Sequence, residues 1–117
     1  MVLPKPGSPV RGSQTGRPIM ALLDLLGRRW VLRVLWELRD APLNFRELRD
    51  RCDTMSPTVL NQRLRDLREA EIVSLEEGEG YSLTPSGRKL LEALLPLHQW
   101  AEQWQKRMNA GKKKSGG

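Results

Sequence analysis

Asn44-Phe45-Arg46-Glu47-Leu48-Arg49-Asp50-Arg51-Cys52-Asp53-Thr54-Met55-Ser56-Pro57-Thr58-Val59-Leu60-Asn61-Gln62-Arg63-Leu64-Arg65-Asp66-Leu67 spells two short helices and the turn between them. Asn44 is a good helix cap, and Glu47 three residues later completes a capping-box pattern. Phe45, Leu48 and Cys52 fall on one side of that helix, with Arg46, Arg49 and Asp50 on another. The helix is expected to end near Asp53. Ser56 then caps a second helix, and Pro57 takes its first position, where a missing N–H costs nothing. This helix is expected to reach about Ala70, with Leu60, Leu64 and Leu67 facing inward. Thr58, Gln62, Arg65 and Glu69 lie opposite, Asn61 and Arg68 on one flank and Arg63 on the other. Two amphipathic helices joined by a turn of about three residues read as a helix-turn-helix unit.

Upstream, Pro18 opens a helix with Ile19, Leu22, Leu23 and Leu26 at helical spacing, and Gly27 stops it. A following helix is expected from about Arg28 to Arg39, with Trp30, Val31, Val34, Leu35 and Leu38 inward, ended by Pro42. Downstream, Ile72–Leu75 and Tyr81–Leu83 read as strands around the turn Glu76-Glu77-Gly78-Glu79-Gly80. Thr84 caps a further helix with Pro85 first, carrying Leu90, Leu91, Leu94 and Leu95; Pro96 is expected to kink or break it before Leu97, Trp100, Trp104 and Met108. The fold class is mainly α with a small β-hairpin wing, a winged helix-turn-helix. Three segments follow. Residues 1–17, rich in Pro, Gly and Ser, read as a flexible arm, 18–109 as the domain, and 110–117 as a disordered basic tail.

The net charge of +6 comes from the ends: three basic residues in 1–17 and three in 110–117, with no acid in either, leave 14 basic against 14 acidic residues in 18–109. Within the domain the charge is uneven. Residues 28–68 carry ten arginines against six acids, whereas Glu69 to Leu83 holds five acids and no Lys or Arg. That polarity says more about a polyanionic partner than the total does.

From Pro18 to about Trp100 the chain resembles the HxlR-type winged-helix regulators, a branch of the MarR-like group. The matching residues are Gly27-Arg28-Arg29-Trp30, Phe45-Arg46-Glu47-Leu48, Ser56-Pro57-Thr58-Val59-Leu60-Asn61-Gln62-Arg63-Leu64, Tyr81-Ser82-Leu83-Thr84-Pro85-Ser86-Gly87-Arg88 and Trp100. The resemblance implies a dimeric, DNA-binding transcription factor whose fourth helix enters the major groove and whose first and C-terminal helices form the dimer. Many members carry a cysteine just before the proline that opens the first helix. Here Arg17 stands there, which leaves that kind of thiol sensing without its residue. The wing is also shorter and more acidic than usual in the family, so it is expected to add little affinity for DNA or to point away from it.

The early turns of a recognition helix do most of the base reading. Thr58, Asn61 and Gln62 lie there: Asn and Gln pair with adenine, and a Thr methyl meets a thymine methyl. Arg65 is placed for guanine or a phosphate, and Ser56 for a phosphate at the helix N-terminus. Arg63 is either a phosphate contact or an intrahelical partner of Asp66 or Glu69. Arg46 and Arg49 either touch the DNA backbone or belong to a solvated face with Glu47 and Asp50. The expected dimer interface is Ile19, Leu22, Leu23, Leu94, Leu97, Trp100 and Trp104. A small-molecule effector between subunits, against Trp100 and Trp104, is a candidate partner beside double-stranded DNA and the second copy. The competing reading is a winged-helix protein–protein interaction module, and the acidic wing keeps it in play.

The single cysteine, Cys52, excludes a disulfide framework, and its place on an apolar helix face reads as a buried thiol. His98 has no second ligand nearby in sequence, so no metal or cofactor is expected. No nucleophile–base motif, phosphate-cradling loop or paired carboxylate appears, and the chain is not expected to be an enzyme. No apolar run reaches the ~20 residues of a membrane span, and the N-terminus lacks the pattern of a secretory signal. The expected location is cytoplasmic.

Overall fold

The computed structural model describes the backbone of residues 17–115 and side chains up to Gly111. The element order is α1 (Pro18–Leu26), α2 (Val31–Glu37), α3 (Phe45–Arg51), α4 (Pro57–Glu69), β1 (Val73–Glu76), β2 (Gly80–Leu83) and α5 (Pro85–Ser115). This is the winged helix-turn-helix expected from the sequence. The proposed arm, 1–17, lies outside the described residues except for Arg17, which occupies the N-cap position of α1.

The core is one cluster. Leu25 of α1, Val31, Val34 and Leu35 of α2 with Leu38 at its C-cap, Leu48 of α3, Leu60, Leu64 and Leu67 of α4, and Val73 and Leu83 of the hairpin are all buried in it. Each fully buried Leu or Val contributes roughly 1.5–3 kcal/mol of transfer free energy. Burial of its leucine stripe holds α4 on this core with the opposite face free.

The structure corrects three local expectations. α2 begins at Val31 rather than near Arg28, because Trp30 takes a left-handed conformation (φ 76°) that interrupts the helix before it. Strand β1 spans Val73–Glu76, one residue later than read, and pairs antiparallel with β2 from Val73↔Leu83 to Glu76↔Gly80, leaving a shorter turn. α5 does not break at Pro96 but continues to Ser115, into the stretch 110–117 set apart as a disordered basic tail. The reason lies in solvent access and packing. The carbonyl of Glu92, which Pro96 cannot bond, belongs to an exposed turn that water can satisfy. Just beyond the proline, His98 stacks on Trp36 of α2 with ring centroids 5.0 Å apart, so the turn that follows Pro96 stays against the domain, while residues 99–111 are exposed.

Two glycines are fixed by close approach. Gly80 has φ 99°, and a Cβ there would lie 2.6 Å from the Leu43 carbonyl oxygen, where Leu43 and Tyr81 exchange backbone hydrogen bonds of 2.9 and 2.8 Å. This bridge ties the wing to the loop before α3. Gly87 lies where a Cβ would come 2.1 Å from the Ile72 carbonyl oxygen. The Ile72 carbonyl also accepts from the Thr84 N–H at 3.0 Å, while Thr84 Oγ1 accepts from the Gly87 N–H at 2.9 Å as the cap of α5.

Candidate nucleic-acid interface

Asn44 accepts from the Glu47 N–H at 2.8 Å and Glu47 Oε1 accepts from the Asn44 N–H at 3.0 Å, the capping box read from sequence. The turn from α3 to α4 carries two consecutive left-handed residues, Asp53 (φ 57°) and Thr54 (φ 55°). Arg49 holds this turn: its Nε donates to the Met55 carbonyl at 2.8 Å. Arg49 is half-buried there and takes part in shaping the turn. Met55 is buried beneath, and Ser56 caps α4 by accepting from the Val59 N–H at 3.5 Å.

On α4, Leu60, Leu64 and Leu67 are buried as expected. Thr58, Asn61 and Arg65 share one exposed arc with Arg68 and Glu69, and Ser56 is exposed at its start. Arg46 of α3 is exposed too. Arg46, Arg51, Arg65 and Arg68 have no ion-pair partner among the described residues, so their charge is open to solvent. Arg29 also lacks an ion pair among the described residues and lies over the Trp30 ring, whereas Arg33 and Arg39 are paired. Arg33 pairs with Glu37 at 2.9 Å and Asp53 at 3.4 Å, and Arg39 with Asp40 at 3.6 Å.

Gln62 and Arg63 stand apart from that arc. Both are half-buried and both turn to Asp66, whose carboxylate is only 1% exposed. Gln62 Nε2 donates to Asp66 Oδ1 at 3.1 Å, and Arg63 Nη1 donates to Asp66 Oδ2 at 2.8 Å. Arg28, at the junction of α1 and α2, places Nη1 3.1 Å from the same Oδ2, an ion pair whose angle is too poor for a hydrogen bond, and Nη2 3.4 Å from Asp24. Of the two readings open for Arg63, the structure shows the Asp66 pair. The Gln62 and Arg63 spacing to Asp66 is visible in sequence. The arrival of Arg28 is not, because it depends on how α1 and α4 cross in the fold.

The wing tip carries Glu76, Glu77 and Glu79, all exposed, with Glu69 and Glu71 exposed at its base. Ile19 and Leu23 are more than half exposed, as are Leu97 at 62% and Trp100 at 54%, and Trp104 is half exposed; Leu22 and Leu94 are half-buried. The expected interface residues therefore form apolar faces of α1 and α5 that the single chain leaves uncovered. Trp100 and Trp104 stack with centroids 5.8 Å apart.

Cys52 is fully buried at the end of α3, and burial pushes its thiol up from the ordinary value. Among the described residues no group of three His, Cys, Asp or Glu side chains is placed to hold a metal ion, and no helix is long and apolar enough to cross a membrane.

The HxlR-like helix-turn-helix family matches residues 25–109. The HTH-type transcriptional regulator YodB of Bacillus subtilis is 33% identical over 87 residues, covering 69% of this chain and 78% of YodB. The crystal structure of quinone-bound YodB superposes with a TM-score of 0.68 at 30% identity, over 73% of this chain and 94% of that one. A structure described as a possible HxlR family transcriptional factor from Thermoplasma volcanium gives 0.65 at 27% identity, over 73% and 82%.

Proposed function

Because the chain belongs to the HxlR-like helix-turn-helix family of DNA-binding transcriptional regulators, we propose that it acts as a homodimer on a roughly palindromic operator. Each subunit lays α4 in the major groove. The observation that carries this reading is the exposed arc Thr58, Asn61 and Arg65 beside the unpaired Arg46. Asn61 pairs with adenine, Thr58 offers its methyl to thymine, and Arg65 reaches guanine or a phosphate. Ser56 and Arg46 contact the backbone. Gln62 reads through the edge of its amide not bound to Asp66. The uncovered apolar faces of α1 and α5 support the second copy, whose α4 would then sit about one helical turn of DNA away, or a multiple of it.

YodB has been crystallised with a quinone. In this chain the one cysteine is buried, so an effector would act without covalent attachment to a thiol. Its natural seat is the tryptophan pair of α5 at the dimer interface.

The test is selection from random duplex DNA at near-physiological salt. The expected result is an enriched palindrome whose binding falls by about tenfold or more with Asn61→Ala or Arg65→Ala. The acidic wing favours a second reading, a module that binds a protein rather than a specific duplex. Weak, sequence-blind binding that disappears as salt rises would put that reading first.

A further inference from the structure

Asp66 is a charged residue on the buried side of a helix whose other side faces solvent. Burying a carboxylate costs several kcal/mol unless its oxygens are paired, and here three side chains from two parts of the fold supply the pairing. An ionised carboxylate only accepts hydrogen bonds. The Gln62 amide must therefore turn its NH2 group toward Asp66, since the reverse orientation would set Oε1 against a carboxylate oxygen. With one N–H committed, Gln62 presents Oε1 and its second N–H outward in a fixed order. Pairing with adenine needs that order, an acceptor for N6–H beside a donor for N7, whereas guanine offers two acceptors on this edge.

We propose that Asp66 is a positioning residue for sequence reading. Its carboxylate sets which edge of the Gln62 amide faces the duplex, keeps Arg63 off the phosphates, and through Arg28 anchors α4 to the junction of α1 and α2. The proposal rests on the major-groove role given to α4 above.

Asp66→Asn tests it. An asparagine amide both donates and accepts, so it tolerates either orientation of Gln62, and it carries no charge to hold Arg63. The variant is expected to keep the half-site spacing but to lose about tenfold discrimination at one base pair per half-site. The slope of log affinity against log salt should steepen by about 0.9 per subunit as Arg63 turns to a phosphate. Arg63→Gln is the companion variant and leaves Arg28 and Gln62 on Asp66. It is expected to leave both base preference and salt slope unchanged. If folded Asp66→Asn keeps the wild-type preference and slope, the proposal is wrong. It is also wrong if Arg63→Gln flattens the slope by about 0.9 per subunit, and this second result decides the matter should Asp66→Asn not fold. A wild-type chain that selects no operator would instead overturn the DNA-reading role of α4, and the proposal with it.

Discussion

Cys52 sits at the end of α3 with no surface of its own and with a thiol pushed up by desolvation. Thiolate is the reactive form, so both exposure and ionisation protect this sulfur. Cys52 is expected to ignore a disulfide-forming aromatic reagent in the native chain and to react once urea unfolds it; diamide should leave operator affinity within about twofold. Fast native labelling would contradict the burial. The sign of the pH effect follows from the raised value. The protonated thiol is favoured in the fold, so its contribution is complete below the unfolded pKa and is lost as pH rises through the folded one. Stability should therefore fall on the alkaline side. That Cys52 is buried was legible from its helical spacing to Phe45 and Leu48. Asp66 was not recognisable as a hub, since a charged residue at a helix edge acquires its meaning only from Arg28, 38 positions away in sequence.

Among the elements, α4 and α3 follow their sequence signals most closely, because capping residues and leucine spacing are local chemistry. The wing and α5 depart where contact with other parts of the chain decides. The Glu76↔Gly80 pair adds a residue to β2, the Leu43–Tyr81 bridge ties that strand to a loop no periodicity marks, and α5 crosses Pro96 with His98 of the next turn stacked on Trp36. Gly87 shows how tightly α5 meets the hairpin. Alanine would gain roughly 1 kcal/mol of helix propensity over glycine. The Ile72 carbonyl cannot retreat from the new methyl without breaking its bond from the Thr84 N–H, so the clash dominates. Gly87→Ala is expected to destabilise by about 1–3 kcal/mol, read as a fall of several degrees or more in Tm. A rise in Tm would show that the hairpin yields freely.

For the whole molecule, the apolar faces of α1 and α5 are the chief unsatisfied feature, and sequence periodicity already pointed to them. It could not show that Ile19 and Leu23 turn away from the chain's own core while Ala21 and Leu25 turn in, because both pairs fit a helical stripe. A groove of about 430 Å³ between α2 and α5, walled by Leu35, Trp36, Leu94 and Leu97, continues that face. Trp100→Glu places a charge in the expected interface while the core is untouched. Sedimentation should show monomers at concentrations where the wild type is dimeric. Operator affinity should drop on the order of a hundredfold, since two linked reading heads lose their effective concentration. A wild-type chain that sediments as a monomer at micromolar concentration would remove the dimer.

The glutamates of the wing bear on time as well as affinity. A DNA-binding protein finds its target by alternating travel along the duplex with excursions through solution, and the electrostatic hold on random sequence sets the balance. Three exposed carboxylates at the hairpin tip loosen that hold wherever the wing comes near a phosphate. Such a chain lingers less on each wrong stretch and samples more separate stretches per second. Once seated in the way proposed, it would rely on α4 and on Arg46 of α3, not on the wing, to slow its departure.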